Sequence, residues 1–124
     1  MSILDPYSPE ARAIAVVLRT AHLAMMAMLV GALFFAAPAS SIRTWQALTA
    51  GTGAALLVTE ISHSRHWVYQ GRGIITIAHV ALAWLAPSGL VRPAAAAALV
   101  IGGLGSHLPR AVRKWSFRHR QVMD

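Results

Sequence analysis

The stretch TAHLAMMAMLVGALFFAAPASSI, from Thr20 to Ile42, carries no charged side chain and lies between Arg19 and Arg43. A bilayer core about 30 Å thick requires roughly 20 apolar residues of α-helix, at about 1.5 Å of rise per residue. The stretch meets this length and therefore predicts a transmembrane helix.

Three further charge-free stretches lie over 44–59, 73–91 and 93–109. With Gly and Pro marking the turns, the four stretches predict helices over about 9–37, 43–64, 73–87 and 92–108. A basic juxtamembrane tail over 109–124 would follow. The predicted fold class is all-α, a four-transmembrane-helix bundle with up-down-up-down topology. Residues 1–124 are predicted to form a single membrane domain.

Composition supports a membrane environment. Charged residues make up 12% of the chain and hydrophobic residues 56%, whereas a soluble domain is roughly a quarter charged. The net charge of +7 does not predict nucleic-acid binding, because the basic residues lie at the ends of apolar runs. The chain has no cysteine, which excludes disulfides, thiolate zinc sites and cysteine nucleophiles.

Orientation follows from the basic residues, which favour the cytoplasmic side of a membrane. With the N-terminus inside, Arg43 and Arg92 lie outside, and the other nine of the 11 basic residues lie inside. The inside group is Arg12, Arg19, Arg65, Arg72, Arg110, Arg113, Lys114, Arg118 and Arg120. This asymmetry predicts four spans with both termini in the cytoplasm.

A competing interpretation treats the first stretch as a secretory signal peptide. Arg12 and Arg19 precede an apolar run that ends in Ala37-Pro38-Ala39, which is similar to an A-x-A cleavage site. The run is long for a signal peptide and acidic residues precede it. We therefore favour a small-residue turn between two spans.

Ionisable residues within membrane spans are costly and by default indicate a functional site. Six such residues lie in or beside the predicted spans: His22, Glu60, His63, His66, His79 and His107. Counted from the flanking inner arginines, His22 and His107 lie about 4.5 Å into the helix and His79 about 10 Å. All six lie toward the cytoplasmic side, which predicts one polar region assembled by the bundle.

The residue types predict a metal or haem ligand set, and several alternatives stay open. The spacing Glu60-x-x-His63-x-x-His66 places a carboxylate and an imidazole on one helix face, as in metal sites of four-helix bundles. Without cysteine, imidazole and carboxylate favour Zn, Fe, Ni or Cu(II). Histidines such as His22 and His79, and also His107, could instead hold haem iron. For His63, His66 and His107, the plainer explanation is solvation at the interface.

Two short motifs resemble a known family. Arg19-Thr20-Ala21-His22, followed by Gly31-Ala32-Leu33-Phe34-Phe35, resembles the opening helix of copper-resistance D-type (CopD-type) membrane domains. Glu60-x-x-His63-x-x-x-Trp67-x-x-x-Gly71-Arg72-Gly73 leads into the next helix in a similar way. The resemblance covers about the first two thirds of the chain. It implies copper handling in the bacterial inner membrane, with His22, Glu60, His63 and His79 at the site; small b-type cytochrome membrane subunits are also similar.

The resulting functional prediction is a multi-pass inner-membrane protein that binds a transition metal, copper by resemblance, or haem b. The ligands would lie near the cytoplasm, in metal handling or electron transfer. The alternative is a non-catalytic accessory subunit that packs against a larger membrane complex or a second copy of itself. No nucleophile constellation or phosphate-binding loop favours an enzyme. The basic tail, which includes Trp115 and Phe117, predicts contact with anionic headgroups.

Overall fold

The computed structural model describes residues 8–63, 66–85 and 88–122, with the side chains of His63 and Ser88 outside the description. The described residues are mostly helical, and the all-α class is confirmed. The four substantial helices are α1 (Pro9–Phe34), α2 (Ala39–His63), α3 (Gly71–Leu85) and α4 (Val91–His107). A short α5 (Arg110–Arg113) precedes a two-stranded antiparallel sheet of β1 (Trp115–Ser116) and β2 (Gln121–Val122). Single 3-10 turns occupy Trp67–Tyr69 and Ser88–Leu90.

The first helix begins where side-chain capping is available. Ser8 accepts a 3.0 Å hydrogen bond from the backbone N–H of Ala11 through its hydroxyl oxygen. Pro9 follows at the first helical position, where its missing N–H costs nothing. Glu10 adds a negative charge near the positive end of the helix dipole.

The turn between α1 and α2 comes earlier than predicted. α1 ends at Phe34 and not at residue 37, because Ala36 adopts a left-handed backbone with a φ of 52°. The N–H of Ala37 then donates to the carbonyl of Ala32 at 2.9 Å, as in a Schellman motif. α2 begins near residue 39 and not 43, since the proline before it pre-sets a helical φ.

The ends of the later helices lie near the predicted ones. α3 begins at Gly71, two residues before its predicted start, and α4 covers Val91–His107 against a predicted 92–108. Leu108 ends α4 in an extended conformation because Pro109 follows it. Residues 64, 86 and 87, which were predicted to be helical, lie outside the described residues.

Two compact units divide the chain, Met1–His63 and Ser64–Asp124. In the first unit α1 packs against α2, and in the second α3 packs against α4. Each unit is thus built on one helical hairpin. The prediction of a single membrane domain over 1–124 stays a prediction.

The core is small and the exposed surface is strongly apolar. Among the described residues, the buried hydrophobic side chains are Met26, Leu29, Trp67, Ala95 and Ala98. Many large apolar side chains are exposed, for example Phe35 at 88% and Leu85 at 79%. By length and composition, one described helix, Pro9–Phe34, can cross a membrane, and only 11% of its most apolar window is buried.

The C-terminal segment is folded and does not continue as a simple tail. α5 and the β1–β2 pair pack beside the turn that leads into α3, where Gln70 forms an isolated β-bridge with Ser116. Both of these side chains are fully buried. We call residues 66–73 and 109–122 together the cap.

Candidate haem or metal ligands

His22 is held on α1 by a hydrogen bond to α2. Its Nδ1 atom lies 2.9 Å from the hydroxyl oxygen of Thr52. That hydroxyl has one proton, which it donates to the carbonyl of Leu48 at 2.8 Å, the usual bond of a helical threonine. Because the proton is used there, the oxygen accepts from His22, so Nδ1 carries the imidazole proton.

A glycine makes room for the His22 ring. A Cβ atom placed on Gly53 would lie 3.0 Å from Cε1 of His22, which is closer than carbon atoms pack comfortably. The imidazole therefore occupies the space that a side chain on α2 would fill. Small residues allow this kind of close approach between membrane helices.

His79 has the same arrangement in the second hairpin. Its Nδ1 atom lies 2.6 Å from the backbone carbonyl oxygen of Ala98 on α4. A carbonyl can only accept, so Nδ1 again carries the proton. A Cβ atom on Gly102 would lie 3.0 Å from Nδ1 and 3.1 Å from Cε1 of His79.

The two hairpins share a sequence feature that the pattern analysis missed. Ala21-His22-Leu23-Ala24-Met25 in α1 matches Ala78-His79-Val80-Ala81-Leu82 in α3, with alanine, histidine and alanine at equal spacing and aliphatic or thioether side chains between and after them. In both hairpins the histidine packs on a glycine of the following helix. The equal spacing of alanine and histidine in the two segments is the sequence signal that reveals this parallel.

The shared tautomer has a chemical consequence. When Nδ1 of a neutral imidazole donates to protein, the electron pair lies on Nε2, which is the common metal-binding atom of histidine. A hydrogen bond from the other nitrogen also fixes the ring orientation and raises the basicity of the ligand. With Nδ1 as the donor, His22 and His79 would each bind iron or another metal through Nε2.

Glu60 makes an ion pair within the first hairpin. Its Oε1 atom lies 2.5 Å from a guanidinium nitrogen of Arg19, with 21% of the Glu60 side chain and 42% of the Arg19 side chain exposed. Arg19 lies one helical turn before His22. The carboxylate that was predicted as a metal ligand thus neutralises a neighbouring arginine, and metal binding would have to compete with that arginine.

The remaining predicted ligands lie apart from these two sites in the sequence. The side chain of His63 is outside the described residues. His66 contacts His119 edge to face, with ring centroids 5.5 Å apart, inside the cap. His107 is exposed in the last turn of α4, where the helix dipole favours a basic group. Across the described part of the chain, no three His, Asp or Glu side chains gather closely enough to hold a metal ion together.

Comparison with protein-family models, with curated proteins and with solved structures gives no match. The resemblance to CopD-type and cytochrome membrane domains therefore stays a prediction. Any function has to be argued from the contacts of this chain.

Proposed function

We propose that this chain is a multi-pass membrane protein of the bacterial inner membrane that binds haem iron through the histidine of a helical hairpin, His22 in the first or His79 in the second, on the cytoplasmic side. The observation that carries the proposal is the contact that Nδ1 of each histidine makes with the neighbouring helix. With Nδ1 as the donor in these contacts, Nε2 is the nitrogen through which either ring would bind iron.

Haem suits these residues better than a bare metal ion does. Haem iron takes one or two ligands from protein, since the porphyrin supplies the other four. A bound Zn²⁺ ion typically takes three or four protein ligands, and the described residues form no such group. A copper ion, which the family resemblance implies, is the second ligand to test.

The multi-pass topology rests on the sequence pattern, since α1 alone among the described helices is long and apolar enough to cross a membrane. α1 and α2 have 26 and 25 residues, or about 39 and 37 Å, which exceeds a core of about 30 Å. α3 and α4 have 15 and 17 residues, or about 22 and 25 Å, so their flanking turns or a thinner bilayer must supply the rest. The contacts of α1 with α2 through Arg19 and His22 favour a permanent span over a cleaved signal peptide.

Topology can be tested with single cysteines, because the chain has no native cysteine. We expect Ser40→Cys and Gly89→Cys to react with a membrane-impermeant maleimide on intact spheroplasts. Ser62→Cys and Ala111→Cys should react only after permeabilisation. If α1 alone crossed the membrane, all four sites would react from the same side, and the four-span proposal would be wrong.

The ligand test is a visible spectrum of the protein purified in mild detergent, with metals quantified by mass spectrometry. We expect a Soret band, as isolated or after addition of haemin. His22→Gln and His79→Gln should weaken or abolish the band, because glutamine keeps an N–H donor toward the neighbouring helix but binds iron poorly. His107→Gln is the matched control and should leave the band unchanged. Stoichiometric copper without a Soret band would replace haem by copper, and the absence of both would refute the proposal.

A second candidate is the accessory subunit, and a specific observation favours it. The Nδ1 contacts of His22 with Thr52 and of His79 with Ala98 each join the two helices of one hairpin, which is what a purely structural histidine would do. In addition, Cβ atoms on Gly31, Gly51 and Gly103 would meet nothing within 4 Å, which leaves small surfaces for a partner helix. In that case His22→Gln and His79→Gln would change neither spectrum nor metal content.

A further inference from the structure

The cap is a folded element and not an extended tail. The N–H of Phe117 donates to the carbonyl of Tyr69 at 2.9 Å, next to the bridge between the fully buried Gln70 and Ser116. A Cβ atom on Gly71 would overlap the carbonyl oxygen of Val112. The start of α3 and the C-terminal segment are therefore in direct backbone contact.

The charge of this region has one sign. From Ile61 to Met123 the sequence contains no Asp or Glu. The described part of the cap contains six basic residues: Arg72, Arg110, Arg113, Lys114, Arg118 and Arg120. Such a field attracts anions and repels divalent cations, which argues against a metal site at the His66–His119 pair.

Aromatic side chains lie among the positive charges. The guanidinium carbon of Arg118 lies 5.0 Å from the centroid of the Tyr69 ring, a cation–π contact. Phe117 is 61% exposed and Trp115 39%. Exposed aromatic rings beside arginines are typical of a protein surface at the membrane interface.

We propose that the cap binds the headgroup of an anionic phospholipid, with Arg118 and Arg120 contacting the phosphate and Phe117 entering the acyl-chain boundary. Charge complementarity selects the anion, and the exposed rings select a lipid over a free phosphate. The cap joins the start of α3 and the end of α4, which the proposed topology places at the cytoplasmic surface. The inference rests on that topology and is independent of haem binding.

The test uses the full chain in a neutral maltoside detergent, with dioctanoyl phosphatidylglycerol as the probe and thermal stability as the measure of binding. We expect the anionic lipid to raise Tm, whereas dioctanoyl phosphatidylcholine and inorganic phosphate do not. Arg118→Gln with Arg120→Gln should weaken the apparent affinity about 30-fold, at about 1 kcal/mol for each basic residue near the headgroup. Added salt should weaken binding to the unmodified chain more than to this variant.

Two controls separate a site from net charge and from misfolding. Arg43→Gln with Arg92→Gln removes the same charge outside the cap and should leave the affinity unchanged. Ser116→Cys reports folding, because the residue is fully buried and should resist maleimide in both double variants. Gly71→Ala should expose it, since the added Cβ has no space.

Several outcomes would overturn the proposal. They are equal stabilisation by the zwitterionic lipid or by inorganic phosphate, tighter binding of a single-stranded oligonucleotide, or an equal loss of affinity in the Arg43 and Arg92 variant. If maleimide labels residue 116 in the Arg118 and Arg120 variant, the cap of that variant is misfolded. The comparisons of lipids and of salt on the unmodified chain then test the proposal. The assay uses detergent and does not depend on His22 or His79. Failure of the haem proposal would therefore not refute lipid binding by the cap, and failure of lipid binding would not refute the haem proposal.

Discussion

The Gly102→Ala variant should have a lower free energy of unfolding than the Gly103→Ala variant. Both substitutions remove a flexible residue from the interior of α4, which by helix propensity alone stabilises by about 1 kcal/mol. The two positions differ in what the new methyl group meets. At Gly102 it lies 3.0 Å from Nδ1 of His79, and at Gly103 nothing lies within 4 Å.

The size of this difference in the free energy of unfolding depends on how far the His79 ring can move. Ordinary contact begins near 3.5 Å, so the ring must shift by about 0.5 Å, and its 2.6 Å bond to the carbonyl of Ala98 resists that shift. Overpacking of this kind costs about 1–2 kcal/mol. We expect Gly103→Ala to stabilise by up to about 1 kcal/mol and Gly102→Ala to be neutral or mildly destabilising. The two variants should therefore differ by about 1–2 kcal/mol.

The first hairpin offers an independent replicate of this comparison. A methyl group on Gly53 would lie 3.0 Å from the His22 ring, whereas on Gly51 it would meet nothing within 4 Å. Unfolding by sodium dodecyl sulfate from a mild detergent, followed by tryptophan fluorescence, measures all four variants. Equal stability of Gly102→Ala and Gly103→Ala, together with equal stability of the Gly53 and Gly51 variants, would refute the packing of the imidazoles on glycine.

Three further predictions concern the first unit. Thr52→Val removes the acceptor of Nδ1, so nitrogen NMR should show His22 as the Nδ1–H tautomer in the unmodified chain and as a mixture in the variant; an unchanged tautomer would contradict the assignment. A double-mutant cycle with Arg19→Ala and Glu60→Ala should give a coupling free energy of unfolding of about 1 kcal/mol or less, and a coupling near zero at low salt would mean that the ion pair contributes nothing. Ala36→Gly should raise the free energy of unfolding by about 1 kcal/mol, since glycine tolerates a positive φ; a loss of stability would exclude the left-handed turn.

The number and order of the four long helices could be predicted from sequence because they depend on local quantities. Apolar runs bounded by arginine mark the helices, and proline or glycine marks the turns. The end of α1 was missed by three residues because an alanine, and not a glycine, adopts the left-handed conformation at position 36. Glycine is the residue that most often adopts this conformation. The early end of α1 therefore could not be predicted from the sequence.

The cap and the partners of the histidines could not be predicted in the same way. The pairing of Gln70 with Ser116 joins residues far apart in sequence, and neither strand is long enough to show an alternating pattern. His119 was not predicted as a site residue because it lies in what was predicted to be a tail. The assignment of Gly53 to His22 depends on the register between two helices, which no local pattern determines.

Histidine is the residue that packs on glycine in both hairpins. Serine, threonine or asparagine could also supply a hydrogen-bond donor between two helices. Histidine differs from them in having a second nitrogen, whose electron pair is directed by the bond at the first. Both hairpins use this residue with the same nitrogen toward the neighbouring helix. If either ring ligates iron, its replacement by glutamine should remove the Soret band while the hairpin keeps its stability, whereas the same replacement of a purely structural histidine should leave the spectrum unchanged.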